Sequence, residues 1–281
     1  MQPMQPLTEI PMRFEFYRAR DFGDTLSATF TFLRQEFVPF GKILVYILGP
    51  LLIVSVIVEL FFQAPPEEAL TGPYWAGVGL LLVVTLMQQV VLALIVNHYI
   101  RLYIANDESR FDPKAMVGYC AETFWRIVGV EILLGLMLGL AFLLLIVPGV
   151  YLSISSSLLV TAAIQEDCPF SDALARSTQL IKQYWWYTLG LIIIVSIIMY
   201  IFQLVLFAPT FVMSFVTAMH GFTESTDTVW VKAAQAVGHL ATFFYVIPLV
   251  ALVVHFYSQI EKKEAAGLER KVASLDGLAE G

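Results

Sequence analysis

The strongest constraint on this chain is a series of apolar runs, each about 20 residues long and nearly free of charge. An α-helix rises 1.5 Å per residue, so about 20 residues cross roughly 30 Å of hydrocarbon. The runs occupy about residues 40–62, 74–100, 127–147, 150–164, 186–207 and 233–257. They predict an all-α fold: a polytopic membrane helix bundle of about six transmembrane helices. The fourth run is short and carries Ser153, Ser155, Ser156 and Ser157. It is therefore either shielded inside the bundle or paired with the third run as a re-entrant hairpin, with Pro148-Gly149 marking the turn. At 58% hydrophobic and 14% charged, the chain has more apolar surface than a soluble domain can hide.

Basic residues favour cytoplasmic loops and so set the expected orientation. Arg13, Arg18, Arg20, Arg34 and Lys42 precede or open the first run, and Arg101, Arg110, Lys114 and Arg126 lie between the second and third. Arg176 and Lys182 separate the fourth from the fifth, and Lys262, Lys263, Arg270 and Lys271 follow the sixth. Only Lys232 falls on the other side, so 15 of 16 basic residues share one face. This predicts a multi-pass protein of the cell inner (cytoplasmic) membrane with both termini cytoplasmic. A re-entrant hairpin in place of runs three and four leaves that orientation unchanged. The net charge of −7 is scattered, and no basic stripe suits nucleic acid. The first 39 residues lack the apolar core of a cleavable signal, so the first run is expected to act as an uncleaved anchor. Cys120 and Cys168 are too few for a disulfide framework and are expected to be reduced thiols.

Each charged segment leading into a pair of runs reads as an amphipathic helix on the membrane surface. Phe22, Leu26, Phe30, Leu33 and Phe37 share one helical face, as do Phe170, Leu174, Ile181, Tyr184 and Trp185. The middle segment opens with Asp112-Pro113, an N-cap followed by a first-turn proline. At an offset of 148 residues, Phe22, Asp24, Leu26, Leu33, Arg34 and Gln35 match Phe170, Asp172, Leu174, Ile181, Lys182 and Gln183. The expected layout is an extended or disordered segment over 1–17, one transmembrane domain over 18–258 and a polar tail over 259–281. Three units, 18–104, 111–165 and 168–258, divide the domain if the repeat is real. A further apolar stretch from Pro209 reads as an outer surface helix or a kinked continuation of the fifth run.

Catalytic patterns are missing from the sequence: no phosphate-binding glycine loop, no histidine pair at metal spacing and no nucleophile elbow. No cofactor is expected. Two ionisable groups fall within apolar runs, Glu59 near the outer end of the first and Glu131 in the third; Glu131 is expected to pair with Arg126. Gln88, Gln89, Asn97, Ser155, Ser156 and Gln203 either line a small polar seam or hydrogen-bond between helices as packing glue.

Residues 147–190 resemble a segment of bacterial membrane families related to the glycerophosphoryl diester phosphodiesterase membrane domain. The residues that carry the resemblance are Pro148-Gly149-Val150-Tyr151-Leu152, Glu166, Ala173-Leu174-Ala175-Arg176-Ser177, Lys182 and Trp185-Trp186. It implies a membrane bundle only, and phosphodiesterase activity is not carried over. Arg176, Ser177, Lys182 and Arg34 are the candidates for lipid contact or for anchoring the surface helices. Arg176 would hold either an anionic head group or the carboxylate of Glu166. The expected role is non-catalytic, organising membrane lipids (anionic ones included) or partner proteins. The other reading is a carrier of an amphipathic or lipid-like substrate.

Overall fold

The computed structural model describes residues 14–62, 72–220 and 237–265. Among them the chain forms α1 (Phe22–Gln35), α2 (Phe37–Phe62), α3 (Gly72–Ala105), α4 (Pro113–Leu144), α5 (Ile146–Ser155), α6 (Leu159–Gln165), α7 (Phe170–Ile181), α8 (Trp185–His220) and α9 (Val246–Glu264), and no strand. Short 3-10 turns cover Glu108–Phe111 and His239–Tyr245. Six stretches are long and apolar enough to cross a membrane: Phe37–Phe61, Trp75–Ala105, Pro113–Leu144, Ile146–Gln165, Trp185–Ala208 and Val237–Glu264. The chain is thus an all-helical, multi-pass membrane bundle. Residues 1–13 of the N-terminal segment, the 63–68 loop, Lys232 and the tail beyond 265 lie outside the described residues.

Packing is concentrated at one end. Both described chain ends meet there, where the Arg20 N–H donates to Ser258 Oγ at 2.9 Å. Phe16 packs edge-on against Phe32, Tyr103 and Tyr257, with Phe14 and Tyr17 packed against the same core, so this part of the expected extended or disordered segment is ordered. The last turns of α3, α6 and α9 pack on one another at the centre of this end. Three collar helices surround them: α1 lies on α9, the start of α4 on α3, and α7 on α6. Each collar helix therefore covers the final helix of the unit before it, and α1 on α9 closes the ring.

Several sequence expectations shift. The turn between the third and fourth runs falls at Leu145, not at Pro148-Gly149, which sit in the first turn of α5. Proline suits that turn because the first backbone N–H groups of a helix have no intrahelical acceptor. Gly149 is needed for contact, since a Cβ there would lie 2.5 Å from the Phe142 ring. The middle surface segment is not a separate helix: α4 runs unbroken from Pro113 to Leu144, because nothing between Phe124 and Ile127 interrupts a helix. The stretch after Pro209 continues α8 to His220. The polar tail begins later than residue 259, because α9 continues to Glu264 with Gln259 and Ile260 buried.

The α4–α5 hairpin packs beside the start of α8. The Trp185 indole, at the start of α8, donates to Tyr151 O at 3.3 Å, and the two rings stack at 5.7 Å. Six residues separate Tyr151 from Leu145, so the tip reaches only about 9 Å beyond that contact. A full crossing needs about 30 Å. By length alone, Pro113–Leu144 and Ile146–Gln165 each reach that.

Candidate functional site

The collar end is tied together by polar groups aimed inward. At its centre Tyr257 OH donates to Gln165 Oε1 at 2.8 Å, and Gln165 Nε2 donates to Asn97 O and Oδ1 at 3.0 and 3.2 Å. One side chain from each of α9, α6 and α3 thus meets at the hub. His98 Nε2 lies 2.8 Å from Thr123 Oγ1 and His255 Nε2 lies 2.9 Å from Thr188 Oγ1, each ring also stacked on a tyrosine. Arg20, which sequence reasoning counted only as a topology signal, is buried, with its guanidinium held by the carbonyls of Glu15, Phe16 and Arg18. Burial pushes its pKa below the usual arginine value.

The candidate collar residues divide into two kinds. Ser177 Oγ donates to Ser155 O at 2.8 Å and accepts from Leu158 N at 3.2 Å, which satisfies both backbone groups at the break between α5 and α6. Arg176 Nε meets Glu166 Oε1 at 2.7 Å, while its two other nitrogens grip both carboxylate oxygens of Glu264. The hydrogen bonds from Glu264 and then Glu166 hold its pKa above the usual arginine value, against the opposing effect of burial. Arg176 thus joins α6, α7 and α9. Arg34 and Lys182, by contrast, are exposed at matching positions of the two collar helices. The expected Glu131–Arg126 pair does not form: Arg126 turns to Asp167 at 2.7 Å, and Glu131 sits one and a half turns further along α4. Asp167 adopts a left-handed backbone (φ 53°) in the short link to α7, which sequence spacing does not reveal.

The offset of 148 holds in the coordinates. Helices α1 and α7 start at Phe22 and Phe170, and the spans that follow start at Phe37 and Trp185. The buried faces also correspond: Thr25, Thr29 and Phe32 match Ala173, Ser177 and Leu180. Small and large residues pack inward together: Phe32 on α1 and Leu180 and Ile181 on α7 are fully buried beside them. Small side chains let helix backbones approach closely. Phe22, Leu26 and Leu33 on α1, and Phe170 and Leu174 on α7, remain only half-buried, and Phe30 is exposed.

The polar candidates in the spans do not form one seam. Ser155 and Ser156 donate to Tyr151 O and Leu152 O of their own helix, and Asn97 belongs to the hub. Gln88, Gln89 and Gln203 line a cavity of about 320 Å³ at the opposite end, with Thr85, Glu59 and His239. Glu59 Oε2 and His239 Nε2 are 2.6 Å apart there. Gln88 Nε2 is engaged by Ser55 Oγ at 2.7 Å and Leu51 O at 3.1 Å. Between Gln89 and Asn97 α3 carries only apolar side chains, nearly all buried, and these close the cavity toward the collar. The pairing of Glu59 with His239 escaped sequence reasoning because 180 residues separate them; the signal was two ionisable groups at the same end of the first and last runs.

No family model, curated protein or solved structure matches this chain.

Proposed function

We propose that this chain is a non-catalytic inner-membrane protein, with both termini cytoplasmic, whose collar and hairpin bind and arrange bilayer lipid. The observation that supports it best is the two-sidedness of α1 and α7. Each buries one face and leaves most of its large apolar stripe (Phe22, Leu26, Phe30 and Leu33, or Phe170 and Leu174) half-buried or exposed, beside a basic residue, Arg34 or Lys182, whose side chain has no partner among the described residues. Such a helix is suited to the polar–apolar boundary of a membrane. The apolar windows of α4 and α8 are only 17% buried within the protein, which leaves lipid as the solvent for the rest. The clustering of lysine and arginine on the collar side supports the orientation.

The test is reconstitution of the purified chain. Lipid should stay bound at a fixed ratio through detergent exchange, and vesicles containing the protein should exchange labelled lipid between leaflets no faster than empty ones. Protein-dependent exchange would instead favour the carrier reading. One observation speaks for that reading: Gln89 and Gln203, in apolar spans, present their amides to the cavity with no hydrogen bond among the described residues. A cavity closed on its collar side is, however, a binding pocket and not a pathway.

A further inference from the structure

We propose that the pocket between the hairpin tip and the start of α8 holds an anionic phospholipid, with its phosphate on Lys182 and an acyl chain along Ile146, Val147 and Val150. This rests on the lipid-binding reading above and names the lipid class for one site. The pocket measures about 530 Å³, and no Asp or Glu lines it. Its wall is graded as a phospholipid is graded. Lys182 and Gln183 supply the polar rim, Trp185, Trp186 and Tyr151 the aromatic level, and the three aliphatic residues the floor. Tryptophan and tyrosine favour that intermediate level because each ring has an apolar body and a polar edge.

The charge is available for a ligand. Arg176 is consumed by Glu166 and Glu264, whereas the Lys182 ammonium has no hydrogen bond or ion pair among the described residues. The pocket is also held open. The Trp185 indole bonds to Tyr151 O and the two rings stack at an interplanar angle of 16°, which fixes the hairpin beside α8 instead of letting it collapse onto Lys182. Leu143 to Val147 at the tip are 66–82% exposed, so the floor of the pocket faces hydrocarbon and not water. An acyl chain can enter from the side with no change in the fold. A free phosphate would gain the lysine but none of the apolar floor.

The experiment uses the full chain in nanodiscs that mix phosphatidylglycerol with phosphatidylcholine, one of the two carrying brominated acyl chains that quench nearby tryptophan. Brominated phosphatidylglycerol should quench more strongly than brominated phosphatidylcholine at equal content. Lys182→Gln should reduce that preference about five-fold, the effect of one basic residue beside an anionic leaflet. Lys114→Gln, an equal charge change on the exposed first turn of α4, should leave it unchanged. Inorganic phosphate at millimolar concentration should not compete; competition would mean a site for the free ion. Equal losses in the two variants would mean a diffuse surface-charge effect and would overturn the assignment. Equal quenching by both lipids, with lipid still retained through detergent exchange, would refute the head-group claim but leave lipid binding standing. No retained lipid at all would defeat both.

Discussion

Replacing Ser177 by alanine removes a single hydroxyl, yet two backbone groups depend on it. Between α5 and α6 the helical pattern is interrupted. Leu159 N bonds to Ser156 O instead of reaching back to Ser155 O, and Leu158 N finds its acceptor in the Ser177 hydroxyl. Ser177 Oγ serves both orphans from the neighbouring helix and is itself 0% exposed, so water cannot take its place without opening the structure. Each buried group left unsatisfied costs about 1–3 kcal/mol, and relaxation shares part of that, so Ser177→Ala should lose about 2–4 kcal/mol. At roughly 2–4 °C per kcal/mol for a chain of this order of size, the midpoint should fall by about 4–16 °C. Buried Cys120 provides the assay: a thiol-reactive dye reports its exposure on heating in mild detergent. Thr29→Val is the matched control. Thr29 occupies the equivalent place on α1 and is equally buried, but among the described residues its hydroxyl bonds only to Thr25 O of its own helix. It should shift the midpoint by less than about 2 °C, since that carbonyl keeps its helical donor. If the two variants melt together, the Ser177 hydroxyl does not tie the break to the collar, and the account of α7 fails.

Three further expectations concern the hairpin and the arginine cluster. Gly149→Ala should destabilise by driving a methyl into the Phe142 ring, and adding Phe142→Ala should recover part of the loss; two independent, additive losses in the melting assay would contradict that contact. A cysteine at Leu145 should resist an impermeant thiol reagent from both sides of the membrane, whereas labelling from the side opposite Lys263 would establish a full crossing. Arg176→Ala should lower stability equally in neutral detergent and in anionic lipid, and a double-mutant cycle with Glu264→Gln should show coupling of about 1 kcal/mol. A loss seen only in anionic lipid would make Arg176 a head-group ligand instead.

The apolar runs decided the helical membrane fold, because nothing else satisfies the backbone in hydrocarbon at that length. The starts of α1, α2, α7 and α8 were legible in the spacing of Phe22, Phe37, Phe170 and Trp185. Sequence could not tell which face of α1 or α7 packs inward. Hydrophobicity marks the stripe that avoids water, whereas the buried faces are turned partly away from it, toward Thr25, Thr29 and Phe32 on α1 and Ala173, Ser177 and Leu180 on α7, where small residues allow close approach. Nor could it give the depth of the α4–α5 hairpin. A run of 20 apolar residues is long enough to cross, and only the Tyr151–Trp185 contact shows how far the turn lies from the level of α8. The partners of Arg126 and Arg176, the hub of Asn97, Gln165 and Tyr257, and the pairing of Glu59 with His239 are long-range choices. They depend on which helix ends the tertiary packing brings together, at the collar for all but the Glu59–His239 pair, and local periodicity carries no record of that.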